Sequence, residues 1–529
     1  MDRLKLLTKR LREQDFRKQF AILFGGKMLG IAALLGLVKV GSTLLGGVAS
    51  AAGLSSLQAA TRAADIINPI NTLWVLITAF LVFFMQAGFM ALEAGFARSR
   101  ETVNVLLECV FDTCLCGLLY WAFGFAFQFG VGNWFIGHQY FFLQGAPLTY
   151  GTSGVAFLAF FLFQFAFADT ASTVTSGAMV GRTGFKGDIM YSVMVSGFLY
   201  PIFGHWVWGP GGWLGGKIPH WMSSITGGVA FHDFAGSTVV HTVGGVIALM
   251  GAIVLGPRLG RKFKRDGGGP LPPHDLTIGA LGAVILWFGW YGFNPGSTLS
   301  AMDFAGMGRV AANTTLAACA AGMVAVLIVY PRSKKWDLGM SCNGFLGGLV
   351  AITCPCYWVS PTGSVVIGAV AAFVVVYGVD LLEHLRIDDP IGAVAVHMLA
   401  GIWGTLSLGL FASGSYGLPT PTGADTSATL KGVFYGGNWD IMKAQVIGSA
   451  AAVILVGGAA FLIFKAIDLM GMLRVEPDGE LEGLDLFEHG TAAYHMEFGQ
   501  GMTYTTPAGG FPGGTLIGAV KKEEPVSGS

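Results

Sequence analysis

Charge is what this chain has least of. Of its 529 residues only 12% are Asp, Glu, Lys or Arg, while 53% are hydrophobic. A soluble domain carries about twice that share of charge. With 31 basic and 31 acidic residues the formal net charge is zero, so charge balance points to no nucleic-acid or acidic partner. Cysteine is also sparse: seven residues (109, 114, 116, 319, 342, 354 and 356), an odd number set mostly in apolar runs. They read as small packing residues, not as a disulfide framework. The pair Cys354 and Cys356 in "CPC" has no His or Cys cluster to complete a metal site, so no metal and no cofactor is expected.

What remains is apolar sequence in long runs. The first fifty residues have a basic start, "MDRLKLLTKRLREQDFRKQ", an apolar stretch from about Ile22 and small residues near "GGVASAAG". That layout marks residues 1–51 as a signal peptide or an N-terminal membrane segment. About eleven further runs approach the roughly 20 apolar residues needed to cross a bilayer: 72–96, 102–129, 154–180, 187–208, 233–255, 276–296, 307–331, 341–358, 363–383, 390–411 and 443–468. Basic residues fall on every second connection: Arg98 and Arg100, Arg182 and Lys186, "RLGRKFKR" from Arg258, and Arg332 to Lys335. Residues 130–153 contain no Lys or Arg. Because basic loops resist translocation, the pattern predicts an all-α polytopic membrane protein with the N-terminus outside after processing and the C-terminus cytoplasmic. The domains expected are 1–51, a transmembrane domain over 68–470 and a cytoplasmic tail over 471–529.

Two stretches repeat one pattern: "DFAGSTVVH", Asp233 to His241, and "DPIGAVAVH", Asp389 to His397. Each opens on Asp, has Gly fourth and closes on Val-His. Asp233 starts the fifth run from outside and Asp389 the tenth from inside, so the helices run in opposite directions. Eight helical residues rise about 12 Å, which puts both imidazoles near the middle of a hydrocarbon layer about 30 Å thick. Two inverted five-helix repeats plus a final helix follow, an architecture that builds substrate sites at the midplane. Each Asp is expected to cap its helix. A facing imidazole pair can share one hydrogen bond and hold, pass or receive a proton. A haem protein would want two histidines on each of two helices, and here each helix has one.

These motifs resemble those of the ammonium transporters of the Amt/MEP/Rh superfamily, in particular the branch that includes plant transporters. The resemblance runs from "MALEAGFARSRETVN" at Met90 through "FQFAFADTASTVTSGAMVGRTGF" at Phe163, "YPIFGHWVWGPGGW" at Tyr200, "FHDFAGSTVVHTVGG" at Phe231, "LWFGWYGFNPGS" at Leu286 and "DDPIGAVAVHMLAGIWGTL" at Asp388 to "GLDLFEHGTAAY" at Gly483. It implies the ammonium transporter fold in a cell membrane and uptake of ammonium by a protein that is not an enzyme. It makes His241 and His397 the twin pore histidines and Phe167 and Phe293 the stacked rings closing the outer entrance. Trp208 and Ser297 become the outer recruitment site, with Asp233 beside it. Gly483, Asp485, His489 and Gly490 fall in a regulatory tail that packs under a neighbouring subunit of a homotrimer, and a PII-type signalling protein is an implied partner beside lipid. An ammonium sensor of the same fold is the alternative. The chain departs from the family pattern where Val180 and Gly181 precede Arg182, removing a Glu, and where Glu101 replaces an Asn. Asp169, two residues after Phe167, is an intramembrane carboxylate and a functional candidate by default.

Overall fold

The computed structural model describes residues 63–414 and 429–494, so the expected signal segment 1–51 and the tail beyond 494, including His495, lie outside the described residues. Helices stand at all eleven expected positions: α1 Ala63–Phe96, α2 Thr102–Phe129, α3 Phe157–Ser176, α4 185–208, α5 Ser237–Leu255, α6 Leu276–Gly296, α7 Phe304–Ser333, α8 Leu338–Thr353, α9 Pro361–Leu385, α10 Val394–Phe411 and α11 Asp440–Leu469. Among the described residues nine of these are long and apolar enough to cross a membrane. The shorter α8, and α4 with its Lys186, Asp188 and His205, complete the set. The chain is therefore a multi-pass helical membrane protein. Side chains set the starts of the later helices: Asp275 accepts the N–H groups of Thr277 and Ile278, Asp303 that of Gly306, Asp337 that of Met340 and Ser360 that of Gly363. Each satisfies donors that lipid could not.

The tail defines one pole of the bundle. Arg474 donates from Nη1 to the Leu255 carbonyl at 2.7 Å and from Nη2 to Glu480 at 2.8 Å, and Glu480 in turn accepts the Leu259 N–H. At the same pole Asp388, just before α10, accepts from Arg258 Nε at 2.8 Å and Nη2 at 3.0 Å. The end of α5 thus meets the start of α10, as inversion requires.

One expectation needs correction. The Asp-to-His stretches are not eight residues of regular helix. Gly236 (φ 116°) and Gly392 (φ 87°) take left-handed conformations that side-chain-bearing residues rarely adopt. That turn lets each aspartate fold back over the helix start. Asp233 accepts the N–H groups of Gly236, Ser237, Thr238 and Val239 at 2.8 to 3.0 Å. Asp389 accepts those of Gly392, Ala393 and Val394 at 2.9 to 3.1 Å. Each helix then opens with a wide π-helical turn, 237–242 and 394–399, where the His241 N–H reaches back five residues to the Gly236 carbonyl. The histidines sit within the first turn or so of helix, in the local geometry that often marks functional positions.

Two further glycines bring these turns together. Gly245 lies four residues after His241, and a Cβ there would come within 2.4 Å of Met398 N; Gly401 lies four after His397, and a Cβ there would come within 2.5 Å of the Ser237 carbonyl oxygen. The close approach is reciprocal: each helix offers a bare backbone to the other's histidine-bearing turn. Between membrane helices such small-residue contacts replace the missing hydrophobic drive. Gly245→Ala should therefore cost about 1–3 kcal/mol through overpacking, read as a lower midpoint of thermal unfolding in detergent. Gly458→Ala, at a position with open space around it, should leave that midpoint unchanged or slightly raised.

Candidate functional site: a ring-lined path ending at two imidazoles

From the pole opposite the tail, aromatic rings follow one another toward the centre. Trp208, the last residue of α4, is nearly buried and its indole N–H donates to the Asp233 carbonyl at 2.8 Å. Its ring centroid lies 6.3 Å from that of Phe167, edge to face; Phe167 stacks on Phe293 at 4.0 Å with planes 20° apart. Phe293 in turn lies over His241 at 5.4 Å and 25°, with Trp290 of α6 flanking the imidazole at 5.1 Å. The spacing of residues on α3 and α6 produces this: both phenylalanines are fully buried and point to the same axis.

The two histidines meet. His397 Nδ1 and His241 Nδ1 stand 3.2 Å apart with rings inclined by 31°. One nitrogen must donate and the other accept, so a single proton lies between them and fixes both tautomers. His241 Nε2 is buried without a hydrogen-bond partner. Beyond His397, toward the tail pole, a cavity opens between α1, α3, α8 and the start of α10; Glu93, Val174, Asn343 and Ile391 help to line it.

Ser297 ends α6 one turn beyond Phe293 and donates its hydroxyl to the Phe293 carbonyl at 2.9 Å, leaving the Oγ lone pairs to accept. Asp233, placed by sequence beside the recruitment site, meets the site through its main-chain carbonyl, while its carboxylate is engaged by four backbone N–H groups. Among the described residues no group of three or more His, Cys, Asp or Glu side chains could hold a metal ion.

The tail residues form a separate contact, on α2 of the same chain. Asp485 accepts the Asn104 N–H at 2.9 Å, and His489 Nε2 lies 2.8 Å from Asn104 Oδ1. Gly483 (φ 114°) turns the tail against Arg100, where a Cβ would meet Arg100 Cβ at 2.7 Å, and Gly490 (φ 66°) closes the helix Leu484–His489. Burial raises the Asp485 carboxyl and lowers the His489 imidazole relative to their ordinary values.

The two departures, Glu101 and Gly181, are in contact. Glu101 is fully buried, ion-paired with Arg98, and lies over Gly181, where a Cβ would meet Glu101 Oε1 at 2.6 Å. Glu101 reaches across from the start of α2, and the absence of a side chain at Gly181 makes room for its carboxylate. Arg182 itself is held by carbonyls, donating to Ala178 at 2.9 Å, Gly256 at 2.8 Å and Asp388 at 2.7 Å.

Residues 73–494 match the sequence profile of the Ammonium Transporter Family. The chain belongs to the ammonium transporter family. It is 43% identical over 429 residues to the ammonium transporter Amt2 of Archaeoglobus fulgidus, covering 80% of this chain and 88% of that one. With ammonium transporter 1 member 3 of Solanum lycopersicum the identity is 37%, covering 82% and 94%. Among solved structures it is similar to a protein titled Sensor Amt Protein, with a TM-score of 0.71, 34% identity and coverage of 80% and 99%. The Candida albicans Mep2 structure gives a TM-score of 0.67 at 27% identity, covering 78% and 87%. The plant-like branch expected from the motifs is thus represented among its relatives.

Sequence reasoning passed over four carboxylates that this transporter-family fold buries in α1, α2 and α4: Glu93, Glu108, Asp112 and Asp188. The signal available was their spacing with other polar residues at four-residue intervals. At the tail pole Asp388 is a distinct case. Burial alone would raise its carboxyl, but hydrogen bonds from Arg258 and the charges of Arg258 and Arg182 together hold it well below the usual carboxylate range. A depressed carboxylate stabilises the fold fully above its unfolded value, near 4, and loses that contribution as pH falls toward its folded value. Asp388→Asn should therefore lower the thermal midpoint at pH 7 and show a shallower fall than the parent between about pH 4 and 2, measured by differential scanning fluorimetry.

Proposed function

We propose that this protein takes ammonium into the cell through the path just described. Ammonium is recruited at the pole away from the tail by Trp208, Phe167 and Ser297, with Asp233 beside them, loses a proton before the Phe167–Phe293 pair, and crosses as ammonia along His241 and His397. The proton follows, so uptake is electrogenic. The observation that carries this reading is the Nδ1 to Nδ1 contact of 3.2 Å directly beneath the stacked phenylalanines.

Physical chemistry favours these steps in turn. An aromatic face attracts a cation by its quadrupole, worth about 0.5 to 2 kcal/mol according to desolvation, which is capture weak enough for release. A serine oxygen with free lone pairs accepts an ammonium N–H. A charge at the centre of a membrane helix costs about 2.5 to 3.5 kcal/mol even with relaxation, and ammonium alone among common monovalent cations can avoid it by giving up a proton. The unpartnered His241 Nε2 offers ammonia a hydrogen-bonding site past the gate. The names of the relatives support the substrate. The sensor alternative is matched by one structure's title, whereas the curated relatives are named as transporters.

The same reading places the protein in the plasma or inner membrane as a homotrimer, with the tail pole cytoplasmic and Gly483, Asp485, His489 and Gly490 regulatory. A PII-type protein is the proposed partner at that pole.

Replacing both histidines, as His241→Ala with His397→Ala, should reduce the ammonium-driven current in proteoliposomes at least tenfold; an unaltered current and selectivity over potassium would remove the imidazoles from the mechanism. Trp208→Leu should raise the half-saturating ammonium concentration about 2- to 30-fold, the equivalent of the cation–π range, with little change in maximal current. Growth of a strain lacking other ammonium uptake, at low ammonium, checks the physiological direction of both.

A further inference from the structure

At the pole away from the tail, α2 and α4 end in contact with each other, and His205, in the last turn of α4 and fully buried, joins them. Its Nδ1 lies 2.9 Å from the carbonyl oxygen of Gln128, in the last turn of α2. Its Nε2 lies 2.8 Å from the carbonyl oxygen of Asn133, in the loop that follows. Both partners are backbone carbonyls, which accept and cannot donate. The carbonyls on either side of this contact are met by the main chain: Gly130 N–H donates to Ala126 and Gly137 N–H to Phe127. The approach needs a bare backbone. A Cβ at Gly209, the residue after Trp208, would collide with both His205 Nδ1 and the Gln128 carbonyl oxygen.

A neutral imidazole has one donor nitrogen. In either tautomer, one of these two contacts would set a nitrogen lone pair against a carbonyl lone pair inside a site shut off from solvent. A proton on each nitrogen turns both contacts into charge-assisted hydrogen bonds. A buried positive charge needs compensation, yet residues 113–153 and 189–232 contain no Asp or Glu. The ionisable side chains on the adjoining segments are Tyr120, Tyr140, Tyr150, Tyr200, His138 and, in the loop after α4, the exposed Lys217. The helices themselves supply the compensation. Both run toward this pole, and the C-terminal end of a helix carries a partial negative charge that favours a cation, a protonated histidine included. Two such ends converge on His205.

The neighbouring rings give the position its consequence. Within the same turn of α4, Trp206 donates its indole N–H to the Phe135 carbonyl at 2.9 Å, and Trp208 donates to the Asp233 carbonyl at 2.8 Å. His205 and Trp206 therefore bind the loop after α2, while Trp208 reaches the entry of α5. We propose that His205 is a buried imidazolium, protonated on both ring nitrogens, that fastens the end of α4 to the end of α2 and so positions the Trp208 indole for ammonium. It is a positioning residue, because the ring that meets the cation is that of Trp208.

The inference rests on the recruitment reading of Trp208 above, and the test keeps the two apart. Full-length protein in lipid at neutral pH is labelled with carbonyl-carbon-13 glycine and with carbon-13, nitrogen-15 histidine for solid-state NMR. Of the ten histidines only His138 and His205 follow a glycine, so a glycine-carbonyl filter selects those two, and His138→Gln removes the exposed one. Both His205 ring nitrogens should then carry protons; one bare nitrogen overturns the imidazolium. In proteoliposomes, His205→Gln and Gly209→Ala should each raise the half-saturating ammonium concentration about 2- to 10-fold, the equivalent of one lost hydrogen bond, with maximal current within about twofold of the parent. A parental half-saturating concentration in both variants overturns the positioning role. Loss of maximal current with that concentration unchanged assigns the imidazole to the fold alone and overturns it equally. If one variant fails to reach the membrane, the other and the parent's spectrum decide. A Trp208→Leu protein with the parental concentration contradicts the recruitment reading and removes the positioning with it, while the spectrum still reports the charge on His205.

Discussion

The close crossing of α5 and α10 is the constraint on which the rest depends. Gly245 and Gly401 let two backbones approach until each nearly touches the other's histidine-bearing turn. Only at that separation can two short imidazoles arriving from opposite poles bring their Nδ1 atoms to 3.2 Å. The aspartate caps serve the same end. By gathering three or four backbone N–H groups each, Asp233 and Asp389 let a helix begin abruptly inside a low-dielectric medium, where an unmet donor is expensive. The wide turn that follows sets the direction of the imidazole.

From this crossing the other features take their places. The stacked Phe167 and Phe293 close the path directly over His241, and Trp290 supports the ring from the side. In the proposed mechanism the rings would exclude water and bare ions, and the histidines would supply hydrogen-bonding capacity to a molecule that has become neutral. At the tail pole a lattice of Arg258, Arg182 and Asp388 ties the end of α5 to the start of α10, so the crossing is clamped near one end by charge and at its centre by glycine.

Much of this was legible in the sequence. The runs 102–129 and 276–296 coincide with their helices to the residue, because apolar composition ends abruptly there at Glu101, Gly130, Asp275 and Ser297. The repeated Asp-x-x-Gly…Val-His pattern identified both histidines, their caps and the inversion. It misled on the local path, since a glycine at the fourth position reads equally as a helix residue and as a left-handed turn, and only the fold-back of Asp233 over four N–H groups decides. Glu101 and Gly181 stood as two unrelated departures because their contact joins helices eighty residues apart. The buried Glu108, Asp112 and Asp188 were obscured for a related reason: a lone carboxylate in an apolar run carries no partner information until a second helix is laid against it.

The most direct measurement of the account is nitrogen-15 solid-state NMR of histidine-labelled protein in lipid. A hydrogen bond between the two imidazoles requires one protonated and one unprotonated Nδ1, joined by a measurable coupling between the two nitrogens. Two histidines that both carry their proton on Nε2, with no such coupling, would contradict the shared-proton pair at the centre of the transporter.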